Sequence, residues 1–203
     1  MVHTNKHAII IGDQKQLGPC SVVQELTATN INRSFYVRML AMGAYPVQLN
    51  MQYRMHPGLL EFPNKTFYDS RIKSGITDGD RALVSKRPKR VLSALMKPQY
   101  PCCCFNVNGR ENMQTISKSW ENMDEVNIVL MDVRQLMFEY GMKARDIGII
   151  TPYSAQQTLL MKEMTKVDEN IEINSVDAFQ GREKEVIIFS SVRSNTANNI
   201  GFL

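Results

Sequence analysis

The chain has 203 residues, of which 43% are hydrophobic and 22% are charged. These fractions are typical of globular domains and argue against a disordered, collagen-like or coiled-coil chain. This length predicts one domain, or one domain with part of a second. The 24 basic and 20 acidic residues give a net charge of +4, which is compatible with nucleic-acid binding and with many other functions.

Neither a membrane span nor a secretion signal is predicted. No apolar run approaches the roughly 20 residues that a transmembrane helix requires. The first seven residues, MVHTNKH, are polar and contain no apolar signal core. We therefore predict an intracellular protein that does not bind membranes.

The cysteines and histidines do not form a pattern typical of metal sites. Cys20 and the run Cys102–Cys104 have neither a disulfide framework's spread nor a C-x-x-C spacing, and His3, His7 and His56 are not spaced as ligands. Because side chains alternate along a strand, the cysteine run is predicted to supply small buried side chains. We predict reduced thiols and no protein-built metal site.

Residues 81–110 contain seven basic residues and no Asp or Glu. Such a segment has two interpretations: a patch that contacts phosphates, or a solvated loop that keeps the protein soluble. Charge alone does not choose between them.

The hydrophobic pattern predicts alternating strands and helices. In chain order, we expect a strand at 7–12, a helix at 24–42 with an interruption near 30–32, a strand around residues 47–51, a turn-rich and irregular region from 70, a strand at 101–107, a helix at 121–140, a strand at 147–151, a helix at 154–166, and strands at 171–176 and 186–192. The helix at 121–140 has the clearest three-four spacing, and Gly141 follows it as a stop signal.

This alternation predicts an α/β fold with a largely parallel sheet and helices on both faces. Ligands of such sheets bind at the carboxyl ends of the strands. Polar segments follow three predicted strands, at residues 12–17, 151–154 and 175–183. The sequence therefore predicts that a ligand binds at the edge of the sheet where the parallel strands end.

Four short motifs in this order and spacing resemble those of superfamily 1 helicases. They are GDQKQL at 12–17, QYRMHP at 52–57, GIITPY at 148–153 and VDAFQGRE at 176–183. Additional similarity in LGP at 17–19, FP at 62–63 with FY at 67–68, and IGFL at 200–203 points to the up-frameshift type, the regulators of nonsense transcripts. The resemblance covers nearly the whole chain and is weakest at 84–122.

This resemblance implies a RecA-like P-loop NTPase fold in a cytoplasmic RNA helicase of nonsense-mediated mRNA decay. The family uses ATP with Mg²⁺, binds single-stranded RNA (DNA is possible) and has mRNA-decay factors among its possible partners. We expect residues 1–43 to be the tail of a first RecA-like domain and 44–203 to be most of the second. The chain contains no G-x-x-x-x-G-K-[ST] phosphate loop, so the rest of the first domain, the Mg²⁺ ligands and the final arginine motif are expected outside it.

The resemblance also assigns roles at the nucleotide. Arg54 would stabilise charge on the γ-phosphate, and Gln16 would link the γ-phosphate or the catalytic water to domain movement. Tyr53 would lie against the adenine. Glu183 would accept hydrogen bonds from the ribose, beside a close backbone approach at Gly181. The alternatives are a surface salt bridge, a turn-capping glutamine, a core tyrosine and a surface glutamate.

By the same resemblance, two loops would track the nucleic acid through phosphates and sugars, without base readout. Their residues are Thr151, Pro152, Tyr153, Ser175, Val176 and Asp177. Two other functions stay open: a non-catalytic nucleic-acid or protein binding module, and a DNA helicase of the same superfamily.

Overall fold

A computed structural model describes residues 8–19, 32–81 and 101–201. The helices in these residues are α1 (Phe35–Ala41), α2 (Pro57–Phe67), α3 (Met123–Glu139), α4 (Ser154–Met164) and α5 (Val176–Phe179). The strands are β1 (Met51–Gln52), β2 (Lys73–Ser74), β3 (Glu111–Gln114), β4 (Ser119–Asn122), β5 (Ile147–Ile150), β6 (Glu172–Asn174) and β7 (Val186–Phe189). Short 3₁₀ helices lie at Asp78–Arg81 and Ala144–Asp146.

The chain divides into two compact units. The first comprises Met1–Arg54 and Leu60–Gly75, and the second comprises Met55–Leu59 and Ile76–Leu203. The expected division at residues 43 and 44 into two RecA-like domains stays a prediction.

The first unit contains a short parallel pair, in which Met51 of β1 is opposite Lys73 of β2. Helix α1 begins after Ser34, whose side chain accepts a hydrogen bond from the Val37 amide at 3.2 Å. This contact satisfies one of the amides that a helix start leaves without a partner.

The second unit is built on a parallel sheet with strand order β6-β5-β7. Because β5 is central, its residues Ile147 and Ile149 are completely buried. Helices α3 and α4 pack on it through apolar side chains that include Val126, Val133 and Leu160. Parallel strands linked by helices confirm the predicted α/β class.

Several predicted elements of this unit are confirmed. Helix α3 occupies the region predicted at 121–140, and its three-four stripe is buried at Val126, Val129, Leu130 and Val133. Strands β5, β6 and β7 and helix α4 lie within the predicted segments, each shorter by one to three residues. At the end of α3, the turn-forming Gly141 has a positive φ of 66°, as a helix stop requires.

Two predicted strands are absent from the described residues, and a third is present only in part as β1. Residues 8–13 and 101–107 have no strand, and only Met51 remains of the alternating run at 47–51. Val47 and Leu49 are about nine-tenths exposed. A strand-like pattern forms a strand only when a neighbouring backbone completes the hydrogen-bond ladder. Residues 8–13, 47–49 and 101–107 have no such partner among the described residues, whereas Met51 pairs with Lys73 of β2. The helix predicted at 24–42 is represented by α1, and its earlier part lies outside the described residues.

The predicted burial of the cysteine run is also wrong. Cys102 and Cys104 are exposed, Cys103 is half-buried, and all three are free thiols. Because this segment is not a strand of the sheet, it is not covered on both faces by packed helices or strands. Cys20 lies outside the described residues.

The elements that were not predicted include α2, β2, the β3–β4 hairpin and the short helix α5. Helix α2 begins at Pro57 and contains Pro63, and proline looks like a stop signal although the first position of a helix suits it. The β3–β4 hairpin is mainly polar, with Glu111 opposite Asn122. None of the helices in the described residues combines the length and apolar character needed to cross a membrane.

Candidate nucleotide-binding and nucleic-acid-binding residues

The turn after residue 12 is held by the Asp13 carboxylate. This group accepts hydrogen bonds from the Lys15 amide at 2.9 Å, the Gln16 side-chain amide at 2.9 Å and the Tyr68 hydroxyl at 2.6 Å. Burial by itself raises the pKa of Asp13, but the hydrogen bonds from Tyr68, Lys15 and Gln16 bring it below its usual value. Burial and the bond to Asp13 raise the pKa of Tyr68 to about 12. Gln16 therefore takes part in a fixed turn, as its turn-capping alternative requires.

Tyr53 and Arg54 follow β1 directly and are both exposed. Gln52 fixes this turn, because its side chain donates to Ser74 Oγ and accepts from the Arg54 amide, each at 2.9 Å. The Tyr53 ring passes so close to Gly75 that a Cβ there would lie 2.2 Å from it. Gly75 is therefore required for the position of this ring.

Gly181 and Glu183 lie in the second unit, in the turn after α5. Gly181 has a φ of +78°, and no atom lies within 4 Å of the position that a Cβ would take. A ligand could therefore approach the backbone closely at this position. Glycine also adopts this positive φ without strain. Glu183 is exposed, and the neighbouring Arg182 forms an ion pair with Glu172.

The two predicted nucleic-acid loops lie side by side. They follow β5 and β6, which are adjacent and parallel, and the Thr151 amide donates to the Asn174 carbonyl at 3.2 Å. In the second loop, Ser175 Oγ accepts from the Ala178 amide at 3.3 Å, and Val176 and Asp177 are exposed. The tertiary structure thus brings both loops to one edge of the sheet.

Exposure differs between these loops. Pro152 is half-buried, whereas Thr151 and Tyr153 are 1% and 4% exposed. The Thr151 hydroxyl is buried and has no hydrogen-bond partner in the described part of the chain. The first loop therefore offers mainly backbone and Pro152 to a ligand, while the second offers side chains.

A buried polar network beneath this edge was missed by the sequence analysis. Asn122 caps α3 through Oδ1, and its side-chain amide donates to the Val192 carbonyl at 3.1 Å. Gln156 Oε1 accepts from the Asn122 amide at 2.8 Å, and Gln156 Nε2 donates to Ser190 Oγ at 2.9 Å. Asn122 and Gln156 are fully buried. An Asn followed by Glu three residues later is a helix-start pattern that could have indicated Asn122.

The same network holds the backbone after β7. Val192 has a φ of +72°, a conformation that a β-branched residue rarely adopts. Its amide donates to both oxygens of Glu125 at 3.0 Å, and Glu125 also accepts from Ser190 Oγ at 2.5 Å. These contacts compensate for a strained backbone beside the candidate edge.

Arg193 is held by the β3–β4 hairpin. Its guanidinium donates twice to Glu111, at 3.0 and 3.2 Å, and lies 4.6 Å from the centre of the Trp120 ring. Burial by itself raises the pKa of Glu111, but the bonds from Arg193, Ser194 and Asn195 lower it below its usual value. The paired Glu and Arg are distant in sequence, so no local pattern could have indicated them.

Comparison with known proteins gives a consistent result. Residues 31–203 match the family described as AAA domain. The chain is 37% identical to Regulator of nonsense transcripts 1 of Dictyostelium discoideum, over 98% of this chain and 15% of that protein. It is 36% identical to the Caenorhabditis elegans protein of the same name, over 98% of this chain and 19% of the relative.

A third relative is ATP-dependent helicase NAM7 of Saccharomyces cerevisiae, 34% identical over 98% of this chain and 20% of the relative. The chain thus spans at most a fifth of the length of these three relatives. The chain belongs to the AAA domain family, and its predicted resemblance to superfamily 1 helicases of the up-frameshift type is confirmed.

Proposed function

We propose that this chain is part of an ATP-dependent RNA helicase of nonsense-mediated mRNA decay, and that it contributes residues to ATP binding and to a single-strand-binding surface. The observation that carries this proposal is the adjacency of the loops after β5 and β6. The names of the relatives, Regulator of nonsense transcripts 1 and ATP-dependent helicase NAM7, support the activity class. Action in the cytoplasm and contact with mRNA-decay factors belong to the same proposal.

At the loops, single-stranded nucleic acid would be held through its backbone. Thr151, Pro152 and Tyr153 would offer mainly main-chain groups, because two of these side chains are buried. Ser175, Val176 and Asp177 would offer amides and an exposed apolar contact. Contacts of this kind do not depend on base identity, and a motor that moves along any sequence requires this.

At the nucleotide, each proposed residue has chemistry that fits ATP. The exposed Arg54 guanidinium is a permanent, planar cation suited to phosphate oxygens, and the Tyr53 ring is 63% exposed, so it can receive a flat base. Gln16 would act through its polar amide. When bound, ATP with Mg²⁺ supplies the phosphoryl group that passes to water.

On the ribose side, the open backbone at Gly181 permits close approach of a ligand. The exposed Glu183 carboxylate would accept hydrogen bonds from ribose hydroxyls. A non-catalytic binding module and a DNA helicase are the other functions that share these features, and competition between RNA and DNA strands, described below, tests the DNA-helicase alternative.

The 203-residue chain by itself is expected not to hydrolyse ATP at a helicase's rate. It contains no G-x-x-x-x-G-K-[ST] motif, whose amides and lysine bind the β- and γ-phosphates. Phosphate release by the purified chain, with and without single-stranded RNA, checks this. ATP hydrolysis that RNA stimulates to the rate of a helicase would contradict this expectation. It would also contradict the proposal that this chain contributes only part of the ATP site.

Reversing the charge of four basic residues is expected to weaken single-strand binding and to flatten its dependence on salt. Each lost phosphate contact should reduce the slope of log K against log salt by about 0.7. The residues to change to Glu are Lys86, Arg87, Lys89 and Arg90. These positions lie outside the described residues, so the prediction rests on sequence.

A matched control reverses four exposed cations elsewhere, Lys118, Arg134, Lys143 and Lys162. If both quadruple variants change the slope equally, the basic segment is only a solvated loop.

Competition between RNA and DNA strands of one sequence tests which nucleic acid is the substrate. Preference for RNA supports the proposed function, and preference for DNA favours the DNA-helicase alternative.

A further inference from the structure

A cavity of about 390 Å³ lies in the second unit, outside the residues proposed for ATP or nucleic acid. Its walls come from α3, β7 and the segment at 102–107. They are mainly apolar, with Phe105, Ile128, Leu136 and Ile187 among the lining residues. This volume is typical of sites for small molecules, which usually combine apolar walls with a few polar groups.

The charged groups in the lining are all acidic. Glu125 and Asp132 line the cavity, and no Lys, Arg or His is among its lining residues in the described part of the chain. Glu125 is already engaged, because Ser190 and the Val192 amide donate to it. Among the lining residues that the structure describes, the cavity therefore has negative charge and no compensating cation.

Asp132 differs from Glu125. Its side chain is half-buried, and within the described residues no hydrogen bond or ion pair to its carboxylate is present. Burial raises the pKa of this carboxyl above its usual value. A carboxylate that is partly removed from water without a partner is destabilised, and a cationic group that entered the cavity would relieve this cost.

We propose that this cavity binds a small apolar ligand that carries one protonated amine, with Asp132 as the carboxylate that pairs with the amine. The apolar walls would bury the body of the ligand, and the charged hydrogen bond would fix its orientation. This proposal is independent of the proposed helicase function, since it uses none of the residues assigned there.

The test compares two probes of nearly equal size. 2-Phenylethylamine is protonated at neutral pH, and 2-phenylethanol is its neutral analogue. Each probe is titrated into the 203-residue chain, whose isoleucine methyl groups are isotope-labelled, and binding is followed by NMR. We expect the amine to bind about tenfold more tightly than the alcohol, as a charged hydrogen bond in a partly buried site would give.

The methyl signals locate the binding. Signals of Ile128 and Ile187, which line the cavity, are expected to shift, whereas Ile116, which is fully exposed in the hairpin turn, is the reference that should not shift. Failure of both probes to bind, or shifts confined to residues outside the cavity, would overturn the proposal.

Asp132→Asn is expected to remove the preference for the amine while the protein stays folded, since the shape of the side chain is retained. The control is Asp69→Asn, which makes the same chemical change at an exposed position in the other unit. Asp69 has a φ of 50°, which Asn tolerates. A preference for the amine that survives Asp132→Asn, or that Asp69→Asn also abolishes, would show that Asp132 is not the partner.

Discussion

Replacing Arg54 by Ala, in an ATPase-active helicase that contains this chain, is expected to lower kcat by about 10³-fold or more with a much smaller effect on RNA binding. An arginine that stabilises negative charge as the phosphoryl group transfers contributes on the order of 10³ to 10⁵ in rate. Such an interaction is stronger in the transition state than in the ground state, so kcat responds more than KM. The measurement is steady-state ATP hydrolysis with saturating single-stranded RNA.

Arg54→Lys is the sharper variant. It keeps the positive charge but loses the planar guanidinium that can contact two phosphate oxygens together. We expect it to be nearly as defective as the alanine variant. The substitution of an arginine that only forms a surface salt bridge would change the free energy of unfolding by about 1 kcal/mol or less and leave turnover intact.

Arg71→Ala supplies the matched control. Arg71 lies in the same compact unit, and its guanidinium is 3.3 Å from the Asp69 carboxylate, with both side chains mostly exposed. This variant should retain near-normal kcat. If folded Arg54 variants also retain near-normal turnover, as checked by thermal melting, Arg54 is not the catalytic arginine.

Asn122→Ala is expected to lower the free energy of unfolding by about 2 to 4 kcal/mol, because one buried side chain both caps α3 and donates to a buried carbonyl. The substitution removes the cap of α3, which is typically worth about 1 kcal/mol. It also leaves the buried Val192 carbonyl without its donor, and an unsatisfied buried group costs about 1 to 3 kcal/mol. Urea unfolding followed by circular dichroism measures the change.

Asn112→Ala is the control for this substitution. Asn112 is exposed in β3, and its side chain makes one long hydrogen bond, 3.3 Å, to Glu121. We expect a change within about 0.5 kcal/mol there, as for surface substitutions in general. Equal effects at both positions would contradict the role assigned to the buried network.

The local sequence determined the parts of the fold whose pattern is self-contained. The three-four spacing in α3 and the apolar β-branched run of β5 each predict an element that must bury one face or both. The helicase-like motifs at 148–153 and 176–183 likewise follow from short stretches of residues, and the family relationship they predicted is confirmed.

Proline and cysteine show where local patterns mislead. Pro57 begins α2, although proline breaks a helix interior, because its missing N–H and ring clash do no harm in the first turn and its fixed φ suits a helix. Cys102 and Cys104 were predicted to be buried and are exposed. A strand-like pattern gives the alternation of side chains, but burial depends on whether another layer of the protein covers them.

Only the tertiary structure decided which distant residues meet. Glu111 and Arg193 are 82 positions apart and form a salt bridge. Asn122, Gln156 and Val192 are also distant in sequence and come together beneath one edge of the sheet. The sequence alone contains the residue types but no signal for these pairings, because side chains far apart in sequence become neighbours only after strand order and register are set. In the same way, parallel pairing of β5 and β6 brings the loops at 151–153 and 175–177 side by side, since parallel strands end at the same edge.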